Sequence, residues 1–368
     1  MLNNKKPTIY FSTYDDIKNP HYGGGGAMAI HEVAKRLTKQ YTIRVISWNY
    51  SGKKEEMIEG VQYERFGYPF LSPKVAMFAY QIALPFVALR KEFDIWMESF
   101  CPPFTTAFLP LFIKKPIVGI VHMLAAEDME RKYKLPFHLI ENSGIKLYKN
   151  LLVTSEALKR KIEEIHAVQS IIVISNGIDK VHKPIEKKQK YILFLGRIEV
   201  NQKGIDLLLV AFKEFAKKHT DYQLIIAGSG DKKEIEHMKE IIKKNELLKQ
   251  VILKGKVSGE SKESLLKNAA CVVISSRFET YSLVALEAMA HGTPIVSFSI
   301  RGLSWIPQKI VKKVVPYNTV ALSNALSTIV TNTALVSSMI KEGNMYAKNF
   351  TWDAIAQKYD EYLKQLTK

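Results

Sequence analysis

Short apolar runs alternate with segments of helical periodicity along the whole chain. One series of runs opens at residues 8–11 and a second at residues 191–196. Further runs that predict strands lie at residues 42–47, 95–98, 117–121, 151–154 and 171–174, and at residues 223–227, 251–254, 272–275 and 295–298. Strands separated by helices are typical of parallel sheets covered by helices. The pattern predicts an α/β protein with two Rossmann-like, doubly wound domains facing one another across a cleft, and ligands at the carboxyl ends of the strands.

A polar, basic segment at residues 182–190 separates the two series and contains Pro184. Such a composition is typical of a linker. We therefore predict an N-terminal domain at residues 1–182 and a C-terminal domain at residues 190–349. Residues 350–368 have apolar side chains at helical spacing and predict a final helix, with Thr351 as its N-cap.

The composition is that of a globular protein of about two domains. Of the 368 residues, 47% are hydrophobic and 24% are charged. The longest apolar stretch, residues 75–89, contains Gln81 and Pro85 and is shorter than the roughly 20 residues of a membrane span. The N-terminus does not resemble a secretory signal, and the two cysteines, Cys101 and Cys271, lie far apart. We therefore expect a reduced, cytoplasmic protein without a transmembrane helix.

The net charge of +17 calls for an anionic partner. Nucleotide phosphates, acidic lipid headgroups and nucleic acid all carry the required charge. There are 24 Lys and Arg against 18 Asp and Glu up to residue 180, and 29 against 18 beyond it, so the excess is spread over both series. No nucleic-acid-binding motif accompanies it, and we expect no nucleic acid partner.

Two glutamates flank a predicted helix start in the second series. Glu279 lies in a loop after a predicted strand, and Glu287 follows eight positions later inside an apolar, Ala- and Leu-rich helix. The first N–H groups of a helix lack intrahelical partners and attract anions. A carboxylate on an apolar helix is costly to bury without a hydrogen-bond partner. A ligand with a phosphate and a pair of hydroxyls would satisfy both ends of this element.

Two cations lie on the loop between the first strand and the first helix of the second series. Arg197 follows Gly196, and Lys203 precedes Gly204 at the start of the next helix. Cations beside a helix N-terminus can bind a diphosphate. Ordinary surface charge is the alternative for each cation alone, but the two glutamates predicted at the same sheet edge favour a binding role.

The order of these motifs resembles that of glycosyltransferase family four, a family of retaining glycosyltransferases with the two-domain GT-B fold. The matching pieces are Arg197 and Lys203, Glu279 and Glu287, and the segments at residues 175–179, 224–230, 251–257 and 350–352. The resemblance extends over nearly all of the second half and, more loosely, over the first. It implies a hexosyltransferase that uses a nucleotide-diphosphate sugar, and a final helix at residues 350–368 that crosses back to the N-terminal domain.

The resemblance also implies a role for each matching residue. Arg197 and Lys203 would neutralise the donor diphosphate and so improve the leaving group. Glu279 would bind hydroxyls of the transferred sugar, and Glu287 would bind those of the ribose. The further donor-binding residues are Gly228, Val257 beside the base, and Tyr281, Ser282 and Leu283 through their N–H groups. The family usually has glycine where this chain has Thr280 and Ser282. The two substitutions keep the N–H groups but add side chains where the backbone of the family approaches the phosphate closely.

Two features of the first half fit the same donor site. Residues 23–26 are glycines, and Gly25 and Gly26 precede a predicted helix at residues 28–39, where the backbone can approach a ligand closely. His122 follows the predicted strand at residues 117–121, where the family often has a histidine near the donor sugar. The alternatives are a loop without ligand contact and a structural histidine. The resemblance places His122 with Glu279, Arg197 and Lys203 among the catalytic residues.

The family forms the new bond with retention of the anomeric configuration and without a divalent metal. Its departing phosphate is thought to take the proton of the acceptor. The chain contains no Asp-x-Asp sequence. We therefore expect no metal, no cofactor besides the donor substrate and no dedicated general base.

Three other classes of protein are weighed against this interpretation. A dinucleotide oxidoreductase would explain Gly24-x-Gly26-x-x-Ala29, but eight residues separate these glycines from the preceding strand, and the second strand ends without an acid for a ribose. A non-hydrolysing nucleotide-sugar epimerase would share the double fold. A non-catalytic glycan-binding homologue is disfavoured by the intact Arg197, Lys203 and two glutamates.

The sequence indicates the acceptor only as a class, a glycan or a lipid-linked glycan in cell-envelope or surface polysaccharide synthesis. Residues 68–91 combine aromatics and prolines with Lys74, Arg90 and Lys91, a composition that suits a membrane interface. A core helix of the first domain is the alternative. Our hypothesis is a peripheral protein on the inner face of an anionic cell membrane.

Overall fold

The structure is a computed structural model that describes residues 6–19, 25–101, 104–167 and 169–366. It divides into two compact units, unit 1 with Met1–Asn176 and Trp352–Lys368, and unit 2 with Gly177–Thr351. The division falls before residues 182–190, where the sequence predicted a linker. Those residues pack on unit 2 instead, because the His182 N–H donates to Ala290 O at 2.8 Å and the Gln189 N–H to Asn268 O at 2.7 Å.

Unit 1 is built on an eight-stranded sheet. Its strands are β1 (Thr8–Ser12), β2 (Thr42–Trp48), β3 (Glu55–Ile58), β4 (Val61–Phe66), β5 (Ile95–Ser99), β6 (Ile117–Val121), β7 (Asn150–Val153) and β8 (Ser170–Val173). The strand order is β3-β4-β2-β1-β5-β6-β7-β8, and only the β3–β4 pair is antiparallel. The helices are α1 (Gly25–Leu37), α2 (Pro73–Ala88), α3 (Ala126–Tyr133), α4 (Phe137–Ile145) and α5 (Glu156–Ile165).

The hairpin β3–β4 is the part of this sheet that the sequence did not predict. Glu55 and Glu56 give β3 a charged rather than an apolar pattern. The turn that joins the two strands has positive φ angles of 45° at Glu59 and 82° at Gly60. Positive φ at both central residues is what a tight two-residue hairpin requires. The strand therefore forms through its turn and its pairing with β4, not through hydrophobic periodicity.

Unit 2 contains a six-stranded sheet in which every pair is parallel. Its strands are β9 (Tyr191–Leu195), β10 (Gln223–Ala227), β11 (Val251–Gly255), β12 (Cys271–Ile274), β13 (Ile295–Phe298) and β14 (Val311–Val314), in the order β11-β10-β9-β12-β13-β14. The helices are α6 (Val200–Lys203), α7 (Ile205–Lys218), α8 (Lys232–Lys244), α9 (Gly259–Asn268), α10 (Leu283–Ala290), α11 (Thr319–Thr331) and α12 (Thr333–Ala347). β14, with the sequence Val-Lys-Lys-Val, was also not predicted.

The final helix, α13 (Trp352–Leu366), belongs to unit 1. It packs on the side of the sheet that α1 covers, and its Trp352 and Ile355 are buried in the same core as β1 and β2. Arg36 of α1 donates to Asp353 at 2.5 Å, and the Tyr41 hydroxyl donates to Asp360 at 2.9 Å. The last residues of the chain are thus part of the core of the first unit.

None of the helices in the described ranges has, by itself, the length and the hydropathy of a membrane span. The helical segments Thr319–Thr331 and Thr333–Phe350 reach these limits only when they are taken together, and they meet at an angle of 93°.

Candidate active site

The loops after β9 and β10 are in direct backbone contact at the carboxyl edge of unit 2. The Gly196 N–H donates to Ala227 O at 3.0 Å, and the Ile198 N–H donates to Ser229 O at 2.7 Å. A Cβ atom at Gly228 would lie 1.6 Å from Gly196 O. Glycine at 228 is therefore required by packing, and it draws the loop that carries Arg197 onto the neighbouring loop.

The loop after β11 joins the same edge. The Gly228 N–H donates to Gly255 O at 2.7 Å. Val257, two residues further along, is half-buried and packs on the apolar core of unit 2. The predicted base-binding segment therefore lies beside Gly228, as the parallel order of β9, β10 and β11 requires.

Lys203 and Glu279 form a largely buried ion pair. The Lys203 ammonium donates to Glu279 Oε1 at 2.8 Å, with 18% of the lysine side chain and 11% of the glutamate side chain exposed. The Ser276 hydroxyl donates to the same carboxylate oxygen at 2.7 Å. The structure thus brings together two predicted catalytic residues that lie 76 positions apart. The pair therefore places an ammonium and a carboxylate side by side at the carboxyl edge of unit 2.

Tight backbone packing fixes the position of Lys203. Gly204 has a φ of 61°, and a Cβ there would lie 2.0 Å from Ser275 O. The Ser275 hydroxyl donates to Lys203 O at 2.9 Å. The lysine therefore sits on a turn that is held against the end of β12.

Arg277, which the sequence reasoning missed, braces the same turn. Its guanidinium donates to both carboxylate oxygens of Asp206, at 2.8 and 2.7 Å, and to Asn201 O at 2.7 Å. A bidentate arginine–carboxylate pair fixes orientation as well as distance. Arg277 and Asp206 are 71 positions apart, so no local pattern in the sequence signals this contact.

Arg197 is held loosely by comparison. Its side chain is 63% exposed, and its nearest partners are Gln202 Oε1 at 3.4 Å and Glu199 Oε2 at 3.5 Å. Exposed contacts at these distances contribute little stability. The guanidinium is therefore free to turn toward a ligand at the carboxyl edge.

The helix α10 begins where the sequence predicts an anion-binding start. Ser282 is its N-cap, and the Ser282 hydroxyl accepts from the Ala285 N–H at 3.3 Å. The Tyr281 ring stacks on Trp305 with centroids 4.5 Å apart. A Cβ at Gly302 would lie 1.8 Å from Glu279 O. The backbone from Glu279 to Leu283 is therefore held by packing on both sides, and Ser282, at a position where glycine was expected, supplies a cap.

Glu287 has a partner that the sequence did not reveal. Lys262 of α9 donates to Glu287 Oε1 at 2.8 Å. The two side chains remain partly exposed, 23% for the glutamate and 33% for the lysine. The carboxylate is thus accessible to a ligand, and Lys262 offsets the cost of placing it on an apolar helix.

In unit 1 the structure brings Gly26 and His122 together. A Cβ at Gly26 would lie 3.5 Å from His122 Cδ2. Gly25 and Gly26 form the first residues of α1, whereas Gly23 and Gly24 lie outside the described residues. The glycine at 26 therefore leaves room beside the imidazole ring.

His122 is a neutral imidazole near physiological pH. Both ring nitrogens are buried, and neither has a hydrogen-bond partner among the residues that the structure describes. Burial away from water disfavours the charged form and lowers the pKa of His122 to about 4. An uncharged, unsatisfied ring at a carboxyl sheet edge can bind a ligand hydroxyl, which fits the predicted role near the donor sugar.

Among the residues that the structure describes, two clusters of side chains have the spacing of metal ligands, and neither contains a predicted donor residue. They are His31, Glu32 and Glu59 in unit 1, and His182, Glu263 and His291 in unit 2. Lys35 already pairs with both carboxylates of the first, at 2.7 and 3.0 Å. In the second, His291 Nδ1 lies 2.8 Å from Glu287 O. A metal-independent reaction stays a prediction.

The fold is that of the GT-B glycosyltransferases. The structure resembles sucrose-phosphate synthase from Thermosynechococcus elongatus with a TM-score of 0.83 and 18% sequence identity, over 98% of this chain and 99% of that one. It resembles Anabaena HepE, solved in complex with UDP-glucose, with a TM-score of 0.77 and 16% identity over 98% of this chain and 100% of that one. At such low identity these likenesses define the class of fold.

Sequence comparison gives the family. A model of Glycosyltransferase Family 4 matches residues 23–181, and a model of Glycosyl transferases group 1 matches residues 176–345. An uncharacterised glycosyltransferase from Methanocaldococcus jannaschii is 26% identical over 370 residues, which cover 92% of this chain and 93% of the relative. The chain belongs to glycosyltransferase family four, and the family predicted from its motifs is confirmed.

Proposed function

We propose that this glycosyltransferase moves a hexosyl group from a nucleotide-diphosphate sugar to a glycan or lipid-linked acceptor, with retention of the anomeric configuration and without a divalent metal. The observation that carries the proposal is the ion pair of Lys203 and Glu279, beside the start of α10 and the contact of Gly196 with Gly228. UDP-glucose in the HepE structure supports a nucleotide sugar as the donor class.

The polar groups of unit 2 suit the parts of such a donor. The Lys203 ammonium and the exposed Arg197 guanidinium would meet the diphosphate, together with the first N–H groups of α10. When Lys203 turns to the phosphate, the carboxylate oxygens of Glu279 become free to bind sugar hydroxyls. Glu287 would hold the ribose hydroxyls, since its carboxylate is partly exposed one to two turns into α10.

The proposed transfer breaks the bond between the anomeric carbon and the distal phosphate oxygen, and the bonding electrons stay on that oxygen. The acceptor oxygen forms the new bond on the same face of the sugar, and its proton passes to the departing phosphate. Cations at the diphosphate stabilise the charge that develops there in the transition state. His122 would bind a sugar hydroxyl as a neutral ring and would carry no charge through the step.

The proposal is tested with purified protein and a panel of nucleoside diphosphates and their sugars. One nucleoside diphosphate should raise the melting temperature, and the matching sugar should be slowly hydrolysed or transferred in the presence of EDTA. Proton NMR of the first product should show the anomeric configuration of the donor. Lys203→Met should abolish turnover, whereas Lys218→Met, an exposed lysine at the end of α7, should leave it unchanged. Isomerisation of the sugar, an inverted product or loss of activity with EDTA would contradict the proposal.

We further propose that the enzyme acts in cell-envelope or surface polysaccharide synthesis, at the cytoplasmic face of the membrane. Residues 68–91 would make the peripheral contact with anionic lipid. The exposed aromatic side chains of this segment, Phe70 at 79% and Tyr68 at 63% exposure, support this part of the proposal.

A further inference from the structure

Helix α2 is apolar on two opposite faces, and only one of them is covered. Ala76, Tyr80, Leu84 and Ala88 point into the core of unit 1. The outward stripe is Val75, Phe78, Ile82, Phe86 and Leu89, which are 37 to 65% exposed. These five recur at intervals of three and four residues, so they form one continuous face. A helix that is apolar all round is normally buried, and a stripe of this kind marks an interaction surface.

An open cavity of about 400 Å³ lies beside this stripe. Its walls come from α2, from the 3-10 turn Leu109–Leu111 and from the segment before that turn. The lining residues are Gln81, Ile82, Pro85, Phe86, Phe104, Thr106, Ala107, Phe108, Leu111 and Phe112. A volume of this size is within the ordinary range of small-ligand sites.

The two polar residues in the lining are already satisfied elsewhere. The Gln81 amide donates to Cys101 O at 2.7 Å. The Thr106 hydroxyl donates to Glu98 Oε1 at 3.0 Å. The groove therefore offers hydrocarbon and aromatic surface and little polar specificity, which fits an unbranched or prenyl chain better than a sugar or a nucleotide.

The two chain segments that line the groove carry basic but no acidic side chains. Residues 66–91 and 99–126 contain no aspartate or glutamate. Lys74, Arg90 and Lys114 are exposed at the ends of α2 and after the 3-10 turn. Basic residues next to exposed aromatic and aliphatic side chains complement an anionic bilayer, in which the headgroups meet the cations and the chains meet the apolar face.

Part of the groove lies next to strand β5, which pairs with the strand that precedes His122. Its floor residues Thr106 and Ala107 are hydrogen-bonded to Glu98, near the carboxyl end of β5. His122 follows β6, which is parallel to β5 with Glu98 opposite Gly119. The groove therefore lies beside the strand that neighbours the one before His122.

We propose that this groove binds one hydrocarbon chain of a lipid-linked acceptor while the outward stripe of α2 lies in an anionic bilayer. That the bound lipid is an acceptor depends on the proposed glycosyl transfer. The binding of a lipid chain by itself depends on unit 1 alone. It gives the acceptor a chemical class, a glycolipid or an isoprenoid-linked glycan.

Flotation on vesicles tests the bilayer contact. The wild-type chain should float with vesicles of phosphatidylglycerol and phosphatidylcholine at low salt, and much less with phosphatidylcholine alone. Ile82→Asp and Phe86→Asp should each lower the bound fraction at least about tenfold, because a carboxylate is costly in hydrocarbon. Val320→Asp is the matched control, since Val320 is 64% exposed on α11 of unit 2, and it should float like the wild type.

Cross-linking tests the groove itself. A phosphatidylglycerol with a diazirine near the end of one acyl chain should label peptides that contain residues 81–86 and 104–112. A lipid with the diazirine in its headgroup should label peptides around Lys74, Arg90 or Lys114 instead. Chain labelling spread evenly over the protein surface would overturn the proposal.

The remaining outcomes are also decisive. Equal flotation of Ile82→Asp and the wild type would overturn the bilayer contact. A wild-type dimer that Phe86→Asp converts to a monomer would show that a second copy covers the stripe. If Ile82→Asp still binds the nucleoside diphosphate and hydrolyses its sugar but loses transfer to a lipid-linked acceptor, both proposals stand. Lipid binding by a chain that binds no nucleotide would leave the groove in place and refute the glycosyl transfer.

Discussion

Replacement of Glu287 by alanine separates the ribose-binding role from a purely structural one. The carboxylate accepts from Lys262 at 2.8 Å, and both side chains are partly exposed. A partly solvated ion pair of this kind contributes about 0–1 kcal/mol. Glu287→Ala should therefore lower the free energy of unfolding by no more than about 1 kcal/mol, because water can solvate the lysine that remains.

The effect on the nucleotide should be larger. Hydrogen bonds from a pair of ribose hydroxyls to a carboxylate contribute about 1.5–3 kcal/mol. Their loss corresponds to roughly 10- to 100-fold weaker binding, since about 1.4 kcal/mol is tenfold in an equilibrium constant. Calorimetric titration of the nucleoside diphosphate into both proteins measures this ratio, and thermal unfolding of the free proteins measures the structural term.

Lys262→Ala is the matched control, because it removes the same ion pair and keeps the carboxylate. It should show the same small loss of stability and a change in affinity of less than about threefold. Unchanged affinity in Glu287→Ala would refute the ribose assignment. So would an equal loss of affinity in Lys262→Ala, since the ion pair and not the carboxylate would then be responsible.

Three further predictions follow from single contacts. Glu279→Gln should lower turnover at least about tenfold in a transfer assay but change the affinity for the nucleoside diphosphate by less than about threefold, because the proposed function assigns Glu279 to the transferred sugar. An equal effect on both would contradict the assignment. Gly228→Ala should lower the free energy of unfolding by about 3 kcal/mol or more in denaturant unfolding, since its Cβ would lie 1.6 Å from a carbonyl oxygen. Gly255→Ala is the comparison, because Gly255 has a φ of 66° and no atom within 4 Å of the position of its Cβ. It should cost only about 1–2 kcal/mol. Because the pKa of His122 is low, about 4, the unfolded chain binds one proton more than the folded chain between about pH 4 and 6.5. The free energy of unfolding should therefore fall as the pH drops through this window, and His122→Phe should flatten that part of the pH profile. An unchanged slope would show that His122 is not the group responsible.

Local patterns predicted most strands of the two sheets but not the strands that carry charged side chains. The predicted strands all appear, with shifts of a residue or so at their ends, because buried central strands are continuous apolar runs. The hairpin β3–β4 and the edge strand β14 were not predicted, whereas the edge strands β8 and β11 were. Glu55 of β3 and Lys312 of β14 belong to half-exposed strands whose side chains need not be apolar. Such strands form through their pairing partners, which periodicity does not show.

For helix α2, too, the sequence pattern was not enough to predict which residues are buried. The sequence offered a core helix and a membrane-interface segment as alternatives for residues 68–91. The structure shows a helix with Tyr80 and Leu84 in the core and with Ile82 and Phe86 exposed, and the membrane contact stays a prediction. A helix with apolar residues on every side carries no amphipathic signal, so only its packing on the sheet determined which face remained uncovered.

The sequence by itself determined the class of fold and the family, and it predicted a set of donor residues. Those conclusions depend on hydrophobic periodicity and on short motifs in a fixed order, which are properties of neighbouring residues. Tertiary structure decided which side chains meet, as Lys203 with Glu279, Lys262 with Glu287 and Arg277 with Asp206. These partners lie 25 to 76 positions apart in the chain. The order of the strands and the close approach of glycine backbones bring them together, and no local stretch of the sequence shows either of these two features.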